Sequence, residues 1–437
     1  MFEIILPLFY LIIFNLLIVR YKFFHLPELG YKASLLAFNL KLIAGVAIWF
    51  IYTYYYTDRG TGDQYRYFDD AAIMFDAFKQ NPVYFFELFF DLGRNKAELM
   101  PFYERFMNWD KEYNYAWVID NRTVIRFNAL VHFFSWGNFH VHTLFMNMLS
   151  FTGLLLLFKS VYLFFISKAK LLFLAVFLMP TVLFWGSGVL KEGILIFGLG
   201  LFCFGFFNIT HDEKKYKYAA AIIVGILVLA MIKVYVLLCL IPAALTYYVL
   251  IKISFKKIWL AFAVIQLALL LAIFNLKWMN PELDIANKLW FKRNDFVNVA
   301  NDWDAKSSIP AIPFEKSAIS ILLHSPQSIY NALMRPTVFE IKSITYVMPV
   351  TENFFVLVLI GLMLFFFKKP SHNEQVFVMF ALTFIVYLAA MIGLVTPILG
   401  AIVRYKLPIM PFILMIIICC LNIEKLSQKI PLLKKLL

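Results

Sequence analysis

Residues 34–70 read SLLAFNLKLIAGVAIWFIYTYYYTDRGTGDQYRYFDD. The run 34–56 is mostly apolar and, at about 1.5 Å per helical residue, long enough to cross the ~30 Å hydrocarbon core of a bilayer. Asp58, Arg59, Asp63, Arg66, Asp69 and Asp70 follow almost at once, so carboxylates and guanidiniums crowd the end of a membrane span. A connecting loop needs only a few polar residues at such a point. A cluster this dense marks a membrane edge where charged chemistry meets a lipid-borne substrate.

The rest of the chain repeats the first half of that pattern. It has 437 residues, 62% of them hydrophobic and 19% aromatic, and a mean hydropathy of +0.77. No soluble globular chain of this size requires so much apolar surface, so the fold class expected is an all-α polytopic integral membrane protein. Apolar runs place spans at 3–19, 34–56, 139–158, 171–187, 190–208, 218–232, 235–251, 258–275, 347–367, 375–395 and 404–421. That is about 11 transmembrane helices, in a range of 10–13, forming one transmembrane domain over 1–437. The pairs 171–187/190–208 and 218–232/235–251 have connections tight enough for broken or re-entrant helices. The first run lacks the basic start and small-residue cleavage site of a signal peptide and is read as a retained span.

Charge orients this layout. With Arg20, Lys22 and Lys32 on the cytoplasmic side, alternation also puts there Lys159/Lys168/Lys170, Lys214/Lys215/Lys217, Lys252/Lys256/Lys257, Lys368/Lys369 and Lys425/Lys429/Lys434/Lys435. The formal charge of +13 is thus accounted for by the positive-inside rule rather than by nucleic acid. The expected protein lies in a bacterial inner (cytoplasmic) membrane, with its N-terminus outside and its C-terminus in the cytoplasm.

Two long loops, 57–138 and 276–346, then fall outside. They hold most of the acids and Arg59, Arg66, Arg94, Arg105, Arg122, Arg126, Arg293 and Arg335, whereas the cytoplasmic loops use lysine almost exclusively, Arg20 apart. Arginine's planar fork suits phosphate and carboxylate recognition, so the outer face is the functional one. Residues 71–78, 82–92 and 318–334 carry apolar side chains at helical spacing and read as amphipathic surface helices, with Pro326 a break point in the last. Trp109, Tyr113, Tyr115 and Trp117 resemble an interfacial aromatic belt. Cys203, Cys239, Cys419 and Cys420 lie inside apolar runs, and neither they nor the scattered histidines, of which His140 and His142 are the one close pair, have metal-ligand spacing. No phosphate-binding loop, dinucleotide fingerprint, GxSxG or HExxH is present.

Asp63, Asp58, Asp69 and Asp70 are the catalytic candidates, Asp63 first. A carboxylate at the membrane edge can act as general base on a sugar hydroxyl, or bind a divalent cation that holds a diphosphate. No other cofactor is indicated. The competing reading makes Asp69 or Asp70 the cap of a following helix. In 180–193, PTVLFWGSGVLKEG, a Trp-Gly-Ser-Gly turn leads into Lys191 and Glu192. Glu192 suits a helix N-terminus and Lys191 does not, so Lys191 calls for an anionic partner. Arg404 and Tyr405 open the last span, where a guanidinium can clamp a lipid phosphate or serve as an interfacial anchor. Arg66 and Arg335 complete the substrate-binding set, with Glu340, Glu352 and Lys233 as weaker candidates. Arg122 and Arg126 read as a loop salt bridge before a phosphate-facing pair.

Three of these stretches carry a resemblance. The Asp63–Tyr67 pattern Asp-x-Tyr-x-Tyr in the first outer loop, the run Pro-Thr-Val-Leu-Phe-Trp-Gly-Ser-Gly-Val-Leu-Lys-Glu at 180–192, and Arg-Tyr-Lys-Leu-Pro-Ile-Met-Pro at 404–411 are similar to polytopic bacterial GT-C-class glycosyltransferases and to O-antigen and exopolysaccharide repeat-unit polymerases. Together they touch about a tenth of the chain. The resemblance implies a polyprenyl-phosphate or polyprenyl-diphosphate sugar donor, transfer on the outer leaflet, a catalytic carboxylate at Asp63 or a neighbour, and phosphate contacts at Lys191 and Arg404. It also implies company in the membrane, namely other polysaccharide-assembly proteins. The acidic loop follows the second span here, whereas GT-C enzymes place it after the first, which favours the polymerase-like relatives. Two other classes compete. A lipid-linked glycan transporter or flippase would show inverted repeats and mid-bilayer charges, and the runs read as almost charge-free apart from Lys41. A non-catalytic envelope or secretion scaffold would tolerate changes at Asp63 and Arg404.

Overall fold

The computed structural model describes residues 2–56, 58–109, 120–209, 215–253, 257–302 and 304–430. Tyr113, Tyr115 and Trp117 of the expected belt, and Lys214, Lys256, Lys434 and Lys435 of the basic clusters, lie outside the described residues. Among those described there is no β-strand, only three isolated bridges.

The chain runs through α1 (Phe2–Arg20), α2 (Gly30–Phe50), α3 (Asp63–Gln80), α4 (Pro82–Phe89), α5 (Met100–Tyr103), α6 (Asp120–Ser135) and α7 (Phe139–Val161). It continues with α8 (Ala169–Phe177), α9 (Pro180–Trp185), α10 (Lys191–Asn208), α11 (Lys215–Lys252), α12 (Ile258–Asn275) and α13 (Ile285–Asp302). The last six are α14 (Ala318–Met334), α15 (Val347–Phe365), α16 (His372–Val395), α17 (Leu399–Tyr405), α18 (Met410–Cys420) and α19 (Ile423–Lys429). Among the described residues, 9 helices are long and apolar enough to cross a membrane, the architecture of an all-α multi-pass membrane protein.

The sequence count of about 11 differs from these nine at two places. Residues 171–187 form no continuous helix. α8 stops at Phe177, before Pro180, and the Gly186-Ser187-Gly188 turn follows α9, because a proline disfavours helical backbone in the residue before it. Residues 218–251 lie in one element, α11, broken at Lys233 (φ −151°, ψ 80°). Its halves, 215–232 and 234–252, are each ~27 Å long at 1.5 Å per residue, so each alone is close to a bilayer thickness.

The chain divides into two compact units. The first comprises Met1–Leu163 and Leu183–Val234. Its centre is α10, which packs on α7 and on the first half of α11 with almost no side chain between. A Cβ on Gly200 would lie 2.0 Å from the Gly153 carbonyl oxygen, and one on Gly225 2.6 Å from the Phe202 nitrogen. In lipid, where burial of apolar surface drives no association, such backbone approach supplies the packing. Above these helices α3, α4 and α6 form a small layer. Ile73, Met74, Ala77, Phe85 and Leu88 are buried in it while Val83, Phe86 and Leu92 stay exposed, the amphipathic pattern expected.

The second unit comprises Phe164–Val182 and Tyr235–Leu437. α14 is one unbroken helix despite Pro326, and it docks backbone-to-backbone on α16: a Cβ on Gly393 would meet the Ser328 carbonyl oxygen at 2.0 Å. Its opposite face exposes Ile319 and Leu323. Gln266 donates to Thr246 Oγ1 (3.0 Å) and Thr383 Oγ1 (3.2 Å), tying α12 to α11 and α16.

Candidate functional site

The opening acidic cluster folds largely onto itself. Asp58 accepts from the Gly60 amide (2.9 Å) and Arg66 donates to the Gly60 carbonyl, closing the glycine turn that precedes α3. Arg59 grips Asp69 with two hydrogen bonds (3.1 and 2.6 Å) and lies 4.2 Å from the Tyr65 ring centroid. Asp63, half-buried, is the first residue of α3, where a carboxylate is favoured by the helix dipole.

Asp70 has a structural task. It is fully buried and accepts from the amides of Met107 (2.9 Å), Asn108 (2.7 Å) and Trp109 (2.8 Å). Burial pushes its pKa above the usual carboxylate range, with Asp69 adding to the rise and the three amides opposing it. The side chain is a clasp holding 107–109 onto α3. Arg122 and Arg126 are also structural. Arg122 is fully buried, pairs with Asp91 (2.7 Å) and donates to the Trp109 carbonyl (2.8 Å). Arg126 donates to the Phe89 carbonyl (2.8 Å), and both guanidiniums lie 4.9 Å from the Trp109 ring. Burial, followed by the charge of Arg122, lowers Arg126 to about 10.

A different set of groups converges at the head of α10. Lys191 pairs with Asp120 in the first turn of α6 (2.6 Å), and its ammonium lies 5.9 Å from the Tyr67 ring centroid. Tyr67 donates to Asn121 Oδ1 (3.1 Å). Tyr67 stands one helical turn beyond Asp63, so both lie along one stripe of α3. The Lys191 and Asp120 side chains are 16% and 40% exposed, so the pair is accessible at the protein surface. Directly behind it Glu192 and Lys233, 0% and 4% exposed, form an ion pair of 2.9 Å. Lys233 is the residue at which α11 breaks, and Thr123 of α6 donates to the Met231 carbonyl just before that break (3.1 Å). One turn of α6 therefore touches both α10 and the broken part of α11.

The Trp-Gly-Ser-Gly turn that leads into Lys191 is held from below. Lys41 of α2, fully buried, donates to the Gly186 carbonyl (2.8 Å) and Ser187 Oγ (3.1 Å). Asn147 of α7 donates to the Ser187 carbonyl (2.8 Å), and a Cβ on Gly45 would stand 2.8 Å from that same oxygen. No family model, curated protein or solved structure matches the chain. The site is therefore read from its own geometry.

Arg335, Arg404 and Tyr405 belong to the second unit. Tyr405 packs its ring 6.2 Å from those of Tyr235 and Phe296. Arg335 pairs with Glu340 through Nε (2.8 Å), and that pairing, with the Thr337 amide and hydroxyl, outweighs burial and holds the Glu340 carboxyl below its usual range. Lys406 is fully buried and donates to Asn353 Oδ1 (2.5 Å), while Glu352 accepts from the Thr181 amide (2.5 Å).

Among the described residues no three His, Cys, Asp or Glu side chains stand as a metal cage requires. His142 is hydrogen-bonded to Asn128 Oδ1 (2.7 Å) and Ser135 Oγ (2.8 Å), and His140 packs edge-on against Trp49. All four cysteines are buried and free. Sequence reasoning missed Asp120 and Asn121, and held Tyr67 only as the end of the Asp63–Tyr67 pattern. An acidic residue opening an amphipathic segment is a visible signal, but its pairing with Lys191, 71 positions away, is not.

Proposed function

We propose that the chain is an inner-membrane glycosyltransferase or glycan polymerase that takes a polyprenyl-phosphate- or polyprenyl-diphosphate-linked saccharide at the outer leaflet for cell-surface polysaccharide synthesis. The observation that carries the reading is the accessible Lys191–Asp120 pair at the head of a membrane helix, with Tyr67 beside it and Asp63 one turn along α3. An anionic headgroup entering there would displace Asp120 from Lys191. Asp63 would take the proton of an acceptor hydroxyl, whose oxygen attacks the anomeric carbon. The bond to the phosphate oxygen breaks, and Lys191 stabilises the charge that develops on it. Asp70 is not that base, because its oxygens are occupied by three amides. Arg335, Arg404 and Tyr405 enter the proposal as phosphate and saccharide contacts of the second unit.

The finer topology belongs to the same proposal. Counting α8 with α9 as one broken crossing and the halves of α11 as two gives eleven crossings, with the N-terminus outside and the C-terminus in the cytoplasm. The lysine-rich loops support it.

One observation favours a second reading. The Glu192–Lys233 pair, buried where a membrane helix breaks, is an arrangement typical of transport sites. The two readings separate in proteoliposomes supplied with a polyprenyl-diphosphate-linked repeat unit. Transfer predicts longer glycan on a gel, lost in Lys191→Ala and Asp63→Ala. Translocation of the lipid-linked unit without any bond formation would sink the transferase and leave the transporter.

A further inference from the structure

Between α14 and α15 the chain makes a turn, 334–343, whose exposed residues are apolar apart from Lys342. Phe339 is 95% exposed, and Val338, Ile341 and Ile344 are exposed with it. In water such a patch would be costly, at roughly 25 cal/mol per Å² of apolar surface. The turn is nevertheless built to hold that shape. Glu340 accepts from the Thr337 amide (2.8 Å) and hydroxyl (3.0 Å), the Thr337 side chain accepts from the Glu340 amide in return to make a capping box, and that amide also donates to the Thr337 carbonyl (3.0 Å). Arg335 neutralises the Glu340 carboxylate.

The root of the turn fixes its depth. Asn353 Nδ2 donates to the carbonyls of Met334 (3.1 Å) and Pro336 (3.0 Å). Asn353 lies about 9 Å along α15 from its start at 1.5 Å per residue, and the uninterrupted apolar run 354–365 begins immediately after it. The turn therefore hangs beside the first turns of a membrane span rather than standing clear of it. Non-helical backbone at that level is tolerated only when its polar groups are satisfied within the protein. Four backbone groups of the turn are: the Met334 and Pro336 carbonyls at its root, and the Thr337 and Glu340 amides above them.

We propose that residues 338–341 are a lipid-inserting finger: Val338, Phe339 and Ile341 embed in the boundary between headgroups and acyl chains of the leaflet at which α15 begins, on a turn locked by the Arg335–Glu340 pair. The occupant argued for is the bilayer, because the turn is anchored on α15, a helix long and apolar enough to cross a membrane, whose Val347, Phe354 and Phe355 are also exposed. The finger keeps the outer end of α15 at a fixed depth and sets Arg335 at the level of lipid phosphates. None of this depends on the transferase reading.

The test uses the full chain in vesicles of phosphatidylethanolamine and phosphatidylglycerol. A nitroxide is attached to Phe339→Cys, and the four buried native cysteines are checked for labelling in the unsubstituted protein. Collision with oxygen is expected to exceed collision with a water-soluble nickel chelate several-fold, as at Leu267→Cys on the exposed face of α12. Arg335→Ala is expected to raise the nickel collision rate at position 339. A nickel-dominated signal at 339 would put the finger in water, and suppression of both collisions would put it against protein, such as a second copy. Either result overturns the proposal. Ile341→Cys gives the same reading if Phe339→Cys fails to fold.

Discussion

Breaking the Glu192–Lys233 pair is the sharpest test of how the first unit is held together. At 2.9 Å and an effective dielectric constant near 20, two unit charges attract by about 6 kcal/mol. Burying each costs several kcal/mol, so the intact pair contributes little net stability. Removing one partner is different, because the other is left charged where its side chain is 0% or 4% exposed. Glu192→Gln and Lys233→Met should therefore each lose about 3–5 kcal/mol. The double variant removes both burial costs and should be far more stable than the sum of the singles implies, with a coupling of at least ~2 kcal/mol. The measurement is unfolding of the purified protein in mixed micelles by titration with sodium dodecyl sulfate, followed by near-ultraviolet circular dichroism. Additive single and double variants, or singles within ~1 kcal/mol of the unsubstituted protein, would mean that the two side chains do not act as a buried pair. The claim that α10 and the α11 break form one junction would fall with it.

Other parts of the structure give independent tests. Asp70→Ala leaves three amides without their acceptor and should cost about 1–3 kcal/mol or more, with faster hydrogen exchange at Met107, Asn108 and Trp109 read by mass spectrometry. His132 is lowered from 6.5 to about 4, chiefly by burial and against the pull of the Phe68 carbonyl. Because the unfolded chain binds this proton more readily, the contribution is intact above pH 6.5 and is lost as pH falls towards 4, up to about 3 kcal/mol. The melting midpoint of His132→Gln should accordingly fall less than that of the unsubstituted protein between pH 7 and 4.5. Gly200→Ala should destabilise by about 1–3 kcal/mol, since its Cβ would sit on the Gly153 backbone. Gly361→Ala, with nothing within 4 Å, should be neutral or stabilising in the same melt.

The membrane architecture was legible because length and composition decide it. A run of ~20 apolar residues has one economical solution, a helix across the bilayer, and most of the expected spans coincide with helices to within a few residues. The candidate site was legible only in part. Lys191 and Glu192 stood out as charges at the start of a span, yet they point to different partners, Asp120 and Lys233, that no local pattern reveals. The aspartate cluster was the most conspicuous feature of the chain, yet its members stand in separate surroundings: Asp58 in a turn, Asp69 with an exposed Arg59, Asp70 as a clasp. Side-chain type announced charge there. Only the folded chain shows which charge already has a partner.

Three buried lysines within or beside apolar runs carry a more general signal. Lys41 donates to a carbonyl of the turn that follows α9, Lys233 sits at the break of α11, and Lys406 sits at the junction between α17 and the short turn before α18. All three are buried. A helix that breaks inside the membrane frees carbonyls that water cannot reach. Lys41 answers such a carbonyl directly, at Gly186, whereas Lys233 meets the Glu192 carboxylate and Lys406 the Asn353 side-chain oxygen. The sequence reading treated Lys41 as an exception in nearly charge-free spans. The structure makes it one of several places among the described residues where charge and helix interruption coincide, and those at Lys41 and Lys233 flank Lys191.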